Sequence, residues 1–523
     1  MSLAHQFVAK ADGRNALLCV QQVLRSDPHN LDATRVMAQL NEAARSPSVV
    51  LWWSRVVELN PHSLDDRLAL AQTAMLVRDY ATATNTLSEV DQAGRNTVAY
   101  HNIAGAVAAA AHQPALAEAN FLEAIQLDPE NEGVQLNLAV VRLQGTNLAM
   151  ATEARTSLKQ LGDSATNLFL RCQALRELAF DALRHRQRDE ALLFSKQLLQ
   201  ETNSTFSDRL LRLDVLQQIQ PTGFRPALAS YQREAADNPA KISELATWQM
   251  ANTSPKDALT WLQTLPSNMQ TNLSVELPAS ECYTLLQDWR GLQSSVEKQN
   301  WGVMEFVRHV FLSRALRGEG LSDSAKAEWQ LALQAANGEK QNLVMLLRLA
   351  AQWNWQSEGE DILWTIVNRF PGEQWAIQGL SKALYAGGRT RSLMQLFGQE
   401  SSRDPSNLSM KNNLAMTALL LDAQEIKPYD LAREVYQKSP NDASYISTYA
   451  FSLYLQGKTA EALKLMQTVK PQRLQDPSIA GYYGLILRAT GDRVAARAYL
   501  NWAAKGLLLP EEKKLFDNAK AGL

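Results

Sequence analysis

Seven histidines, three cysteines and one tight group of acids are the side chains that catalysis or metal binding would recruit first in this chain. The histidines (His5, His29, His62, His101, His112, His185, His309) are scattered, and no His-Glu-x-x-His pair exists to hold a catalytic zinc. Cys19, Cys172 and Cys282 are far apart and odd in number. That spacing offers neither a zinc site nor a disulfide framework, and it suits a reducing compartment. All three lie in apolar helical text and read as small buried hydrophobes. His29, His62 and His112 fall at turns between helices and read as solvated. His101 stands where a large packing residue is expected, which makes it a core histidine. His309 follows Glu305 by four residues, the spacing of a surface helix pair. Glu358, Glu360 and Asp361 share a helical turn, where the dipole favours acids near a helix N-terminus; a catalytic pair is the alternative. The run Arg184-His185-Arg186-Gln187-Arg188 sits at a helix end, where cations suit the dipole; a phosphate-binding patch is the alternative. Phosphate-cradling glycine loops and a Gly-x-Ser-x-Gly nucleophile elbow are both missing. No catalytic, cofactor-binding or metal-binding residue is assigned, and no cofactor is expected.

The bulk composition narrows the class. The chain has 523 residues, 46% hydrophobic and 20% charged, which is ordinary for a folded protein. A single compact core stops growing well below this length, so either several domains or a repeat array is required. The net charge of −2 shows no basic stripe, and nucleic acid is not an expected partner. No signal peptide or transmembrane stretch is visible, so this segment itself is expected to make no membrane contact.

The elements behind these residues are set by proline. Pro28, Pro61, Pro129, Pro371, Pro405, Pro440 and Pro477 recur at steps of 33, 68 (twice 34), then 34, 35 and 37, with Pro239 fitting less regularly. The surrounding words recur as well: Ser-Asp-Pro-His-Asn at 26–30, Leu-Asn-Pro-His-Ser at 59–63, Leu-Asp-Pro-Glu-Asn at 127–131 and Arg-Asp-Pro-Ser-Asn at 403–407. A fixed period in the thirties marks a solenoid. Segment 98–131 shows the unit best. Ala104, Gly105 and Ala108 share one helical face; Ala117, Phe121 and Ala124 share a face of the next helix. Small residues let the two helices approach, Phe121 fills the gap, and Pro129 stops the second helix. If Pro28 closes a unit of the same length, its first helix should begin upstream of Met1, so an anchor outside this chain fits the pattern. Ser46-Pro47 and Ser254-Pro255 read as an N-cap followed by proline at the first helical position, and Pro428 and Pro510 open helices likewise.

At these positions the chain resembles the tetratricopeptide repeat family. The frame recurs at Gly484, Gly491, Ala496, Leu500 and Ala503; at Ala450, Gly457, Ala462, Met466 and Val469; and at Leu380, Gly388, Leu393, Phe397 and Pro405. Leu312, Trp329 and Ala332, and Leu178, Ala191 and Leu198, fit more loosely. The resemblance implies an all-α, right-handed superhelical solenoid of about fifteen antiparallel helix pairs. The expected organisation is N-terminal repeats over 1–202, irregular hairpins over 203–300, C-terminal repeats over 301–509 and a terminal capping helix over 510–523. The phrases Gln-Asn-Trp-Gly at 299–302 and Lys-Asn-Asn-Leu-Ala-Met at 411–416 look like large bacterial tetratricopeptide proteins, often tethered by an N-terminal membrane helix. Both a cytoplasmic protein and a membrane-tethered domain are compatible with that likeness.

What the resemblance implies for function is a non-catalytic scaffold that binds a protein or peptide on its concave surface. In this family positions 2, 5, 9 and 12 of each first helix face the groove. Here they include Asn102, Trp375, Gln378, Lys382, Tyr385, Asn412, Met416 and Arg488. Nine of the twelve tryptophans fall between 248 and 375 and read mostly as core, with an aromatic binding surface for the remainder. The alternative is the repeat region of an enzyme or envelope-assembly complex, for example one associated with a glycosyltransferase, whose catalytic part lies elsewhere.

Overall fold

The computed structural model describes residues 1–44, 46, 48–336 and 338–523. Among them 79% are helical and no strand occurs, so the chain is an all-α solenoid. It divides into two compact units, Met1–Cys282 and Tyr283–Leu523, and the division falls within the irregular stretch. Inside each unit a helix packs chiefly on the next one in sequence, as stacked hairpins must.

The recurrent Asp-Pro-x-Asn word works as a two-sided helix boundary. The Gly13–Ser26 helix ends at Asp27, and Asn30 opens the next one by accepting from the Ala33 N–H at 2.9 Å. Asn30 also donates to Asp27 at 3.1 Å, which ties the two ends together. Asn131 repeats both contacts, with Asp128 and with the Val134 N–H, each at 3.1 Å. Asn407 caps the Met410 N–H at 3.1 Å. Such side chains satisfy amides that a helix start leaves orphaned.

Proline plays two roles. Pro28 and Pro129 lie in turns after a helix, but Pro477 and Pro239 begin helices, Pro477–Ala489 and Pro239–Asn252. At the first helical position the missing amide would be unpaired in any case. Pro255, Pro428 and Pro510 open helices as expected, and Ser254 caps the Asp257 N–H at 3.0 Å. Pro47 lies outside the described residues.

In the first unit the two helices of the clearest hairpin are α1 (Val98–Ala110) and α2 (Pro114–Leu127). A methyl group built on Gly105 would meet the Phe121 ring at 2.5 Å, so only glycine admits the ring. His112, between these helices, has φ +59°, and Arg186 takes φ +56° at the same place in its hairpin. Gly388, Gly457 and Gly491 occupy that place in the second unit without the steric cost that a Cβ brings.

The second unit holds the helices that matter below: α3 (Gln374–Ala386), α4 (Thr390–Arg403), α5 (Leu408–Leu420), α6 (Ala443–Leu455), α7 (Pro477–Ala489) and α8 (Pro510–Ala521). Five of the nine tryptophans between 248 and 375 are core. Trp248, Trp261, Trp301, Trp329 and Trp355 are buried, whereas Trp364 is half-buried and Trp375 is exposed. Cys172 and Cys282 are buried and Cys19 is half-buried; all three are free thiols. Burial pushes the Cys282 thiol up to about 12, where it is inert.

Candidate functional site

The first helices of four successive hairpins, α3, α5, α6 and α7, present residues to one cavity of about 250 Å³ in the second unit. Ser381 and Tyr385 come from α3, Asn412, Asn413, Met416 and Thr417 from α5, Ser444, Ser447 and Thr448 from α6, and Tyr482 from α7. Leu393 and Phe397 of α4 supply an apolar wall. The last wall is the start of α8, where Leu509 at the N-cap and Glu512 in the first turn line the cavity.

Glu512 organises this space. It is 95% buried, and its carboxylate accepts from the Tyr482 hydroxyl at 2.5 Å, the Tyr385 hydroxyl at 2.9 Å and the Leu509 N–H at 2.8 Å. Burial, and then the Glu512 charge, push both phenols upward, so they remain proton donors. Glu511 accepts from Thr390 of α4, and Phe516 packs edge-on against Tyr482 with ring centres 5.4 Å apart. The C-terminal helix therefore rests on α7 and also reaches back to α3 and α4. Two other lining residues, both buried, have a polar atom without a hydrogen-bond partner: Oδ1 of Asn412 and Oγ of Ser447. Buried polar atoms are rarely left so.

Of the residues expected to face a groove, Tyr385, Asn412 and Met416 meet in this cavity. Lys382 is exposed and lines a separate trough of about 540 Å³ beside Leu347, Ala383 and Ala386. Gln378 is exposed, and Trp375 donates its indole N–H to Glu373 at 2.7 Å. Arg488 lies against the backbone of Gly522. Asn102 belongs to the first unit, where it accepts from Asn137 on the following hairpin at 2.8 Å. Glu512 and Ser447 were not among the expected residues.

The other candidate groups resolve into structural pairs. Glu358 pairs with Arg317 and Glu360 with Arg389, so each acid neutralises a cation of a neighbouring hairpin. His309 is only 15% exposed and sits 2.6 Å from Glu328, closer than its 3.7 Å to Glu305; it bridges a hairpin where a surface pair was expected. His101 is half-buried and bonds Asn120 at 3.2 Å. Arg188 donates to the Ile219 carbonyl at 2.9 Å, at the end of a helix. Arg314 lies 5.1 Å from the Trp289 ring and 5.4 Å from Trp353, a cation held by aromatic faces. Among the described residues no metal-ligating cluster forms, and no helix is long and apolar enough to cross a membrane.

No protein-family model matches the chain, and no curated protein does. Two solved structures align along nearly its whole length. One is described as the APC/C hetero-tetramer Cut9-Hcn1, at 14% identity over 95% of each chain with a TM-score of 0.29. The other is Naa15/Naa10 bound to HypK-THB, at 11% identity over 99% of this chain and 95% of that one, with a TM-score of 0.27.

Proposed function

We propose that the chain is a non-catalytic interaction scaffold that docks an extended protein segment at the cavity of the second unit. The observation that carries this reading is the convergence of four first helices on a polar space in which Asn412 and Ser447 leave polar atoms unmatched. An extended segment supplies backbone N–H and C=O groups at regular spacing, which suits a wall of serine, threonine and asparagine side chains. Glu358 and Glu360 are taken up in ion pairs with arginines, and His309 bridges to Glu328, which supports a surface role over a reaction. An anchor or a larger assembly outside the chain is compatible with this role.

The test is a random peptide display library selected on the full chain. Selected peptides should lose binding when Asn413→Trp fills the cavity. They should keep it with Leu148→Arg, which changes an exposed residue of the first unit. Peptides indifferent to Asn413→Trp would place the binding surface elsewhere.

A further inference from the structure

We propose that the cavity beside Glu512 is a receptor for a primary ammonium group, and that its occupant is a lysine side chain of the bound segment; this rests on the scaffold reading above. The argument starts from charge. Glu512 is buried at 5% exposure, yet its three hydrogen-bond partners are neutral: two phenols and one backbone amide. None of the residues lining the cavity is lysine, arginine or histidine. Among the described residues Glu512 enters no ion pair, and the adjacent Lys513 and Lys514 are exposed to water. The start of α8 stabilises this carboxylate through the Leu509 N–H, and the cavity beside it leaves room for a cation that a ligand would supply.

The rest of the lining selects the kind of cation. An ammonium has three donors and no acceptor, and the cavity offers acceptors. Oδ1 of Asn412 and Oγ of Ser447 are unmatched, and Oε1 of Glu512, which accepts only from Tyr482, retains a lone pair. Phe397, Met416 and Ile479 give apolar surface for a methylene stem. A volume of about 250 Å³ accommodates one long side chain, whereas a folded partner is excluded. A guanidinium would need a bidentate fork on both oxygens, and Oε2 of Glu512 is already filled by the Tyr385 hydroxyl and the Leu509 N–H.

Three peptides test the assignment by calorimetric titration against the full chain: Ac-Ala-Ala-Lys-Ala-Ala-NH2, the same peptide with Nε-acetyl-lysine, and Ala-Ala-Ala-Ala-Ala-NH2 with a free N-terminus. The lysine peptide should bind, and acetylation should weaken it about tenfold or more, as should Glu512→Gln. The free-amine peptide should be the weaker of the two cationic probes. Met416→Lys supplies an ammonium from inside the cavity; it should raise Tm and abolish binding of the lysine peptide. Equal binding of the acetylated peptide, tighter binding of the free-amine peptide, no binding of any probe, or a lower Tm for Met416→Lys each overturns the proposal. If display-selected peptides lack lysine yet still depend on Asn413, the ammonium assignment fails while the scaffold reading stands.

Discussion

Tyr385 and Glu512 lie 127 residues apart in the chain and share a hydrogen bond of 2.9 Å. The contact makes the last helix part of the site, since α8 supplies a carboxylate to a wall otherwise built from α3 to α7. Phe516 anchors that helix: it is 3% exposed, and a methyl group on Gly481 would sit 2.2 Å from its ring. Phe516→Ala should cost about 3–5 kcal/mol of second-unit stability. Hydrogen exchange should accelerate in Pro477–Ala489 and Gln374–Ala386 together, and unchanged protection in Gln374–Ala386 would show that α8 does not brace α3.

Gly105 lets the Phe121 ring approach to 2.5 Å from where a Cβ would stand. Gly105→Leu should overpack the hairpin by about 1–3 kcal/mol. Phe121→Ala should leave a cavity that costs about 3–5 kcal/mol. Each repeat is supported mainly by its neighbours, so thermal melts should broaden instead of shifting as one transition.

Much of the fold was legible because its signals are local. Asn30, Asn131 and Asn407 declare helix starts within three residues, and the small-residue face of Gly105 and Ala117 declares the hairpin contact within one repeat. The candidate site was legible only as far as the first-helix register reaches, which places Tyr385, Asn412 and Met416 on one wall. Glu512 was hidden because its approach to Tyr385 depends on the summed rotation of the intervening hairpins, which no window of sequence contains. Trp353 and Trp355 sit beside an interhelix turn in sequence, but they pack on Arg314, a partner some forty residues away.

Asp208 sets an acid limit on the first unit. Arg176 donates to it at 2.6 and 3.1 Å, and the Thr205 N–H at 2.7 Å. Burial alone would raise this carboxyl, but those hydrogen bonds outweigh it and hold it below its ordinary value. A depressed folded pKa contributes stability that is complete above the unfolded value, near 3.9, and is lost as pH falls through the folded one. Asp208→Asn should therefore cost about 1–3 kcal/mol at neutral pH, with the difference from wild type shrinking below about pH 4. A constant difference across that range would assign the loss to the N-cap hydrogen bonds alone.

Left-handed residues at the hairpin turns offer a stabilising change. His112 is exposed at φ +59°, a region that costs a residue with a Cβ about 1 kcal/mol or more. His112→Gly relieves that strain and adds unfolded-state entropy, so the expected gain is below about 1 kcal/mol. Chemical denaturation of the first unit would register it as a higher midpoint at unchanged slope.

Binding should divide along the geometry of the cavity. Asn412 is 6% exposed and lines it, whereas Trp375 is 43% exposed and bonds Glu373 outside it. For a display-selected peptide, Asn412→Leu should cost about 1–3 kcal/mol of affinity by removing an acceptor from a desolvated wall. Trp375→Ala should cost less than about 1 kcal/mol, as peripheral contacts do, and should leave Tm unchanged because the ring is not core. Arg488→Ala should act on stability first, since the guanidinium rests on Gly522 beside the end of α8. A larger loss at Trp375 than at Asn412 would move the segment out of the cavity and onto the exposed start of α3.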